Sequence, residues 1–302
     1  MVNNNCYKFK HIKYEKGIFD SFIDATYILT LVGSDRIKNI NKQLKYLIPT
    51  KNVFMVYNKG YKKCDKILYK QNSVYDIIDS NTNIFEHSLK KEFNNILILE
   101  DDFIFSEKLK NNNIINEIKK FFYSNENKAF YYNLGPIPKF FYPNINLFNN
   151  TYRGIYCILA HANIYNKKCI NEIFENINNK NIELSWDEYL IKNYNNYFYK
   201  YPLIYQTFPE TENKQIWYSE GYINSFLRLI NDLRIKLLNL DKCPQPGFNI
   251  LYIAYFISNY SILALLIIFL IYIIYFFLNY FINKVEINNS SDLINIEEKK
   301  EL

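Results

Sequence analysis

The stretch ILILEDDFIF, residues 96–105, is the most informative part of this sequence. A charge-free aliphatic run ends abruptly in Glu100, Asp101 and Asp102, and apolar residues resume at once. Such a run is typical of a buried strand. Three adjacent carboxylates repel one another and are costly to remove from water, so a strand that ends in them needs a compensating partner. A solvated acidic turn is the alternative, but the flanking apolar residues would keep the triplet close to the core.

The segments around this stretch alternate between strand and helix patterns. Residues 25–32 (ATYILTLV) and 51–57 (KNVFMVY) have the pattern of buried strands, and residues 35–47 carry apolar residues at helical spacing. The alternation predicts an α/β fold with a mostly parallel sheet. In such a sheet, ligands bind at the carboxyl ends of the strands, where the triplet would lie. Further predicted helices cover 85–93, 114–123 and 166–177, and further strands cover 95–99, 129–134 and 155–160.

Composition and cysteine spacing exclude some classes of partner and site. The formal charge is +6, and the Lys and Arg residues are scattered rather than gathered in one stripe. Nucleic-acid binding needs a concentrated basic face, so no nucleic-acid partner is predicted. The five cysteines are widely spaced and include no CxxC pair. We therefore expect neither a disulfide framework nor a zinc site, but free thiols in a reducing compartment.

A membrane-spanning segment is predicted near the C-terminus. No charged residue occurs from Cys243 to Asn283, and residues 261–282 (SILALLIIFLIYIIYFFLNYFI) are long enough to cross the hydrocarbon core. A buried core helix is the alternative, although core helices rarely run this long without a charge. The predicted organisation is an N-terminal extension (1–24), a globular domain (25–242), an apolar lead-in (243–260), a transmembrane helix (261–282) and a short polar, acidic tail (283–302).

The orientation of this anchor is predicted from what surrounds it. Residues 1–16 show no apolar signal-peptide core. Basic residues occur on both sides of the span, so the positive-inside rule decides little. Together with the expected free thiols, these features predict a single-pass protein whose globular domain faces the cytosol.

Four stretches together resemble glycosyltransferase family 25, the lipooligosaccharide-biosynthesis and collagen-galactosyltransferase group. They are residues 96–105, residues 26–44 (TYILTLVGSDRIKNINKQL), residues 154–174 (GIYCILAHANIYNKKCINEIF) and residues 186–190 (WDEYL). Their order and spacing fit the family over roughly residues 25–217. The resemblance implies a GT-A type fold and inverting, metal-dependent transfer of a hexose, galactose or glucose. The donor would be a nucleotide sugar such as a UDP-hexose, and the acceptor a glycan, lipid or protein hydroxyl.

The resemblance also implies roles for the residues near the first strand and the acidic triplet. Glu100 and Asp102, on the same side of a strand end, would hold Mn²⁺ or Mg²⁺. Asp101 would bind ribose or brace the loop. Arg36 could meet the diphosphate or be a surface helix residue. Thr30 stands where the family usually has asparagine, so the nucleotide contact there departs from the family pattern.

The later motif would supply the base that accepts the proton of the acceptor hydroxyl. Asp187 is the first candidate and Glu188 the second, while Trp186 could stack on a sugar or lie in the core. His161 could be a metal ligand, but a hydrogen-bonded core residue is favoured. Gln206, Glu212 and Asn213 could line the acceptor side.

A different class of function remains open from the sequence. The chain could be a catalytically inactive, membrane-tethered scaffold or binding protein that retains the fold, which Thr30 and the unusual anchor would support. A structural membrane protein is a third possibility, supported by the anchor alone.

Overall fold

The computed structural model describes residues 4–144, 149–179, 183–208 and 222–298. The chain divides into two compact units, Met1–Tyr255 and Phe256–Leu302. The strands are β1 (Tyr7–Lys13), β2 (Ala25–Leu31), β3 (Asn52–Asn58), β4 (Asn95–Glu100), β5 (Phe103–Phe105), β6 (Phe130–Asn133), β7 (Ile137–Tyr142), β8 (Thr151–Ile158), β9 (Ala162–Asn166), β10 (Asn195–Tyr199) and β11 (Ile204–Gln206). The helices are α1 (Ile37–Tyr46), α2 (Ser73–Lys90), α3 (Asn112–Ser124), α4 (Lys167–Asn179), α5 (Trp186–Asn193), α6 (Tyr222–Leu237) and α7 (Pro244–Glu298).

Nine strands form one mixed sheet in the order β1-β3-β2-β4-β9-β6-β10-β8-β7. Parallel pairing joins β2 to both β3 and β4, and β6 to β10. The other neighbours are antiparallel. The predicted α/β class is confirmed, and the three strands predicted first are parallel to one another. β9 was not predicted, and it inserts antiparallel between β4 and β6.

The sheet is covered on both faces, which explains why its inner strands read as continuous apolar runs. In β4, Leu97 and Leu99 join one buried cluster, while Ile96 and Ile98 join the other. This alternation follows from the two-residue period of a strand. Helices α1 and α3 contribute to the first cluster, and α2, α4 and α5 contribute to the second.

The expectation of free thiols is wrong for one pair of cysteines. Cys6 and Cys64 form a disulfide across 58 residues of sequence. The bond joins the start of β1, which pairs with β3 at the sheet edge, to the loop between β3 and α2. The predicted N-terminal extension thus contributes a strand of the sheet. Because disulfides persist in oxidising compartments, one premise of the cytosolic prediction is removed.

Helix α7 contains the predicted membrane segment. Within the described residues, the part from Pro244 to Phe281 is the one helix long and apolar enough to cross a membrane, with a mean hydropathy of 2.9 and none of its apolar window buried. The first compact unit extends beyond the predicted domain end at 242, as far as Tyr255. Phe248 and Tyr252 are buried there, and the ring of Phe248 packs against that of Tyr205.

Candidate functional site

The acidic triplet lies where β4 leaves the sheet and turns into β5. β5 pairs with β11 in a separate two-stranded sheet, which holds the turn from the other side. The backbone N–H of Thr207 donates to the carbonyl of Asp102 at 3.0 Å. The N–H of Glu100 donates to the carbonyl of His161 at 2.8 Å. The triplet is therefore fixed between two segments that are distant in sequence.

Asp101 is fully engaged by groups from β2 and the loop after it. Its carboxylate accepts from Thr30 Oγ1 at 2.7 Å, from Ser34 Oγ at 3.3 Å and from Arg36 Nη1 at 2.7 Å. Thr30 is buried, while the Arg36 side chain is 30% exposed. Of the two roles considered for Asp101, this arrangement is that of a brace. Contacts of Thr30, Arg36 and Asp101 with a nucleotide stay predictions.

Asp102, next in sequence, has one carboxylate oxygen that accepts no hydrogen bond from the described residues. Its Oδ2 accepts from Gln206 Nε2 at 3.1 Å, and Arg36 Nη1 lies 3.9 Å from the same oxygen. Its Oδ1 is buried and has no hydrogen-bond partner among the residues that the structure describes. Burial raises the pKa of Asp102 to about 6, against the lowering effects of Gln206 and Arg36. A buried acceptor without a partner is costly, and it marks a place where a ligand could bind.

Asp187 lies in the first turn of α5. The helix begins with a capping box in which Ser185 and Glu188 bond to each other's backbone N–H groups. The Glu188 carboxylate is thus turned back onto Ser185, which leaves Asp187 as the carboxylate of the motif that lines a cleft. Asp187 Oδ2 accepts from the N–H of Leu159 at 2.9 Å, and the N–H of Ala160 also bonds to this carboxylate. Burial raises the pKa of Asp187 to about 6.

Leu159, the residue that Asp187 contacts, has a strained backbone. Its φ of +78° lies in the left-handed region, which is unfavourable for a residue with a branched side chain. Its carbonyl accepts from Asn133 Nδ2 at 2.7 Å, so both of its backbone polar groups are held by side chains. Strain of this kind persists where the surroundings over-determine it, and it concentrates at functional sites.

His161 follows in the same segment and has a defined tautomer. Its Nε2 lies 3.2 Å from the carbonyl of Ile204, which can only accept, so Nε2 carries the proton. Burial lowers the pKa of His161 to about 4, so the ring is neutral. Nδ1 is then a buried acceptor with no partner in the described part of the chain. Gly135 permits this packing, because a Cβ there would lie 1.7 Å from the Ile204 carbonyl oxygen.

These segments meet at one small cleft of about 70 Å³, which has room for two or so water molecules in this conformation. The pKa of Glu100 is raised well above its usual range by burial first, and then by the charges of Asp102, Asp187 and Asp101. Carboxylates from both predicted motifs thus act on one another. The cleft is lined by Val74, Ile77, Glu100, Leu159, Ala160, His161, Ser185, Trp186, Asp187 and Gln206.

The fit of a divalent cation can be judged from the donor atoms. Asp102 Oδ1 and Gln206 Oε1 are buried oxygens without partners among the described residues. Oxygen donors suit Mg²⁺ and Mn²⁺, which commonly take one or two carboxylates from the protein and complete their shell with water and substrate phosphate. Within the described ranges, no three His, Cys, Asp or Glu side chains converge to hold a metal. Asp102 and Gln206 thus offer a cation two oxygen donors, which is fewer than its full coordination shell.

The structure brings together two of the sequence-based motifs and adds residues that the sequence did not single out. Glu100 and Asp187 share the cleft, and Gln206 joins them. Trp186 is buried, with its ring beside those of Phe85 and Tyr189. Glu212 and Asn213 lie outside the described residues. Leu159 and Asn133 were missed, since a positive φ at leucine and a side-chain bond to a distant carbonyl leave no local signal.

Comparison with known proteins adds no family to these observations. No protein-family model matches the chain, and no curated protein matches it.

Proposed function

We propose that this protein is a metal-dependent hexosyltransferase of GT-A type, anchored in a membrane by α7. The donor would be a nucleotide sugar such as a UDP-hexose, carrying galactose or glucose, and the acceptor a hydroxyl of a glycan, lipid or protein at the membrane surface. The observation that supports this most is the cleft that Glu100, at the end of β4, lines together with Asp187. An inactive scaffold that retains the fold is the competing function.

The proposed reaction assigns separate roles to Asp187 and to the groups around the acidic triplet. Asp187, whose pKa of about 6 lies close to neutral pH, would accept the proton of the acceptor hydroxyl. The hydroxyl oxygen forms the bond to the anomeric carbon while the bond from that carbon to the diphosphate oxygen breaks. The diphosphate leaves with the electron pair, and the exposed part of the Arg36 guanidinium can bind it.

Glu100 and Asp102 would hold the cation in this proposal. A bound divalent cation there supplies positive charge that offsets the charge of the diphosphate. Without the cation, the charge of Asp102 disfavours the ionised form of Glu100, and the raised pKa of Glu100 reflects burial first and then this repulsion.

The test is a screen of the full-length chain in detergent against a panel of nucleotide sugars, with and without Mn²⁺. Mn²⁺ and UDP together should raise the melting temperature more than either alone, because ligands that bind only the folded state stabilise it. Asp102→Asn should abolish this synergy, while Asp35→Asn, at an exposed position beside Arg36, should keep it. A wild-type protein that shows neither the synergy nor donor-dependent transfer would favour the scaffold.

A further inference from the structure

Helix α6 exposes a continuous apolar stripe. Five large apolar side chains are between 47% and 74% exposed along it, and at 3.6 residues per turn they fall within an arc of about 100°. Ile235 lies on the opposite side of the helix and is buried, so α6 already has an inner face. The stripe is an additional face of an amphipathic helix. Its residues are Phe226, Leu229, Ile230, Leu233 and Leu237.

Cationic residues border the stripe on both sides. On a helical projection Arg234 falls beside Ile230, and Lys236 falls beside Leu229. An apolar face edged by Lys or Arg is the pattern of helices that lie in a membrane interface, where the cations meet anionic headgroups. The next basic residue along the chain is Lys242, shortly before the apolar segment of α7.

A second exposed apolar surface occurs in the same compact unit. The β7–β8 hairpin exposes Phe140, Tyr142, Ile155 and Tyr156. Lys139 Nζ lies 5.3 Å from the ring centroid of Tyr156, and the Arg153 guanidinium lies 5.3 Å from that of Tyr142. The pKa of Lys139 is lowered by burial and then by the charge of Arg234 on α6.

We propose that the α6 stripe, with the exposed side chains of the β7–β8 hairpin, is a membrane-contacting surface that rests on an anionic lipid interface. The proposal rests on the membrane anchor of the proposed function and adds a second, peripheral contact of the globular unit. Tyrosine is enriched at the membrane–water interface, where its amphipathic ring lies at the level of the headgroups.

Chain continuity favours a bilayer over a second protein as the occupant. α6 is followed within a few residues by α7, whose first turns expose Ile250 and Ile253 within the same unit and continue into the membrane-spanning segment. The positively charged edges of the stripe complement anionic lipid. Each Lys or Arg near the surface raises the affinity for such a membrane roughly fivefold. A contact of this kind would hold the globular unit at the bilayer, where a lipid-linked acceptor would lie.

The test measures the depth of single labels in full-length protein reconstituted in nanodiscs. In a Cys243→Ser background, an environment-sensitive fluorophore is attached at Leu233→Cys, with Lys120→Cys on α3 as the exposed control. Labelling without reductant preserves the Cys6–Cys64 bond, and Cys157 and Cys169 are buried. The label at 233 should be quenched by a lipid-borne quencher and protected from aqueous iodide, and the label at 120 should behave in the opposite way.

The lipid dependence adds a second readout. In nanodiscs with anionic lipid, Arg234→Glu combined with Lys236→Glu should reduce the lipid quenching at 233. In zwitterionic nanodiscs, the same pair of substitutions should have a much smaller effect.

Three other outcomes would overturn the proposal, and each identifies a different reason for the failure. Iodide quenching at 233 in protein that still resists carbonate extraction refutes the lipid contact and leaves the anchor intact. Protein released by carbonate refutes the anchor itself. Protection at 233 together with energy transfer between labelled copies would show that a second copy of the chain covers the stripe.

Discussion

At the scale of single residues, neighbouring aspartates in the triplet are used differently. Asp101 accepts three side-chain hydrogen bonds, whereas Asp102 keeps a buried oxygen without a partner among the described residues. Both lie in the turn between β4 and β5, where Arg36 Nη1 is 2.7 Å from Asp101 Oδ1 but 3.9 Å from Asp102 Oδ2. Asp101 braces the loop that carries Arg36, whereas Asp102 holds a buried acceptor whose hydrogen-bonding capacity the described residues do not use.

Asp187→Asn should reduce hexosyl transfer by about 10²–10⁴-fold, the range typical of a general base, while binding of the nucleotide sugar persists. Transfer rates and donor binding by calorimetry would measure this. Glu188→Gln is the matched control, because glutamine also serves in a capping box and this side chain is turned onto Ser185. Undiminished transfer by Asp187→Asn would move the role of base to another residue.

The raised pKa of Asp187 also predicts how stability depends on pH. Its pKa is about 6 in the folded protein against an ordinary 3.8, so between about pH 4 and 6 the folded state binds more protons than the unfolded state. The free energy of unfolding therefore falls as pH rises through this window. In chelator-treated protein, Asp187→Asn should gain stability relative to wild type between pH 4.5 and 7.

Urea titrations of both proteins at the two pH values check this prediction. The gain should be on the order of 1–3 kcal/mol, since about two pKa units separate the folded and unfolded states. A stability difference between the two proteins that is the same at both pH values would contradict the assigned burial of the charge.

At the scale of elements, the edge strand β1 and the loop before α2 are joined by the Cys6–Cys64 disulfide. The same loop carries Lys66, whose buried ammonium donates to Asn58 Oδ1 at 2.8 Å and also contacts Asp76 and Tyr7. α2 begins at Ser73, and its first turns supply Val74 and Ile77 to the cleft. The cross-link therefore stabilises a segment that leads directly into the cleft wall.

Cys64→Ser should lower the free energy of unfolding by about 2–4 kcal/mol, because a cross-link over a loop of this length removes much of the entropy of the unfolded chain. Chemical denaturation without reductant measures the change. Cys243→Ser, at an exposed free cysteine, is the control and should stay within about 0.5 kcal/mol of wild type. Equal stability of the two variants would mean that Cys6 and Cys64 are not bonded in solution.

At the scale of the whole molecule, the first compact unit includes the beginning of the charge-free C-terminal stretch. The unit reaches Tyr255, although the charge-free stretch begins at Cys243. Tyr205 Oη donates to Asn249 Oδ1 at 3.2 Å, and Phe248 is fully buried. The start of α7 is thus part of the globular core, and the lead-in is not merely a linker.

Full-length protein should resist carbonate extraction, and chains that end at Tyr255 or at Lys242 should not. Of the two truncated chains, the one that ends at Lys242 should melt at the lower temperature in detergent, because it lacks Phe248 and Tyr252. Loss of a large buried aromatic side chain costs about 3–5 kcal/mol. Equal melting temperatures would mean that the start of α7 contributes nothing to the core, and extraction of the full chain would refute the anchor.

The features that depend on local pattern could be predicted from the sequence. β2, β3 and β4 lie within a residue or two of their predicted ranges, since a strand buried on both faces is a continuous apolar run. The membrane-length segment needs only a count of uncharged residues. The helix predicted at 85–93 is the end of the much longer α2, whose many polar residues obscure the helical period. β9 was missed because its asparagines interrupt the apolar run.

Which of these elements come into contact could not be predicted from the sequence, because it depends on how the chain packs. Asp187 faces Glu100 because α5 packs on the same side of the sheet as α2 and because the strained turn at Leu159 reaches the end of β4. The fold also places the Asp187 carboxylate in the cleft, while the adjacent Glu188 caps its own helix. It likewise brings Cys6 and Cys64 together to form a disulfide. Local periodicity carries no information about contacts between distant segments, since those depend on the order of strands and on how whole layers pack.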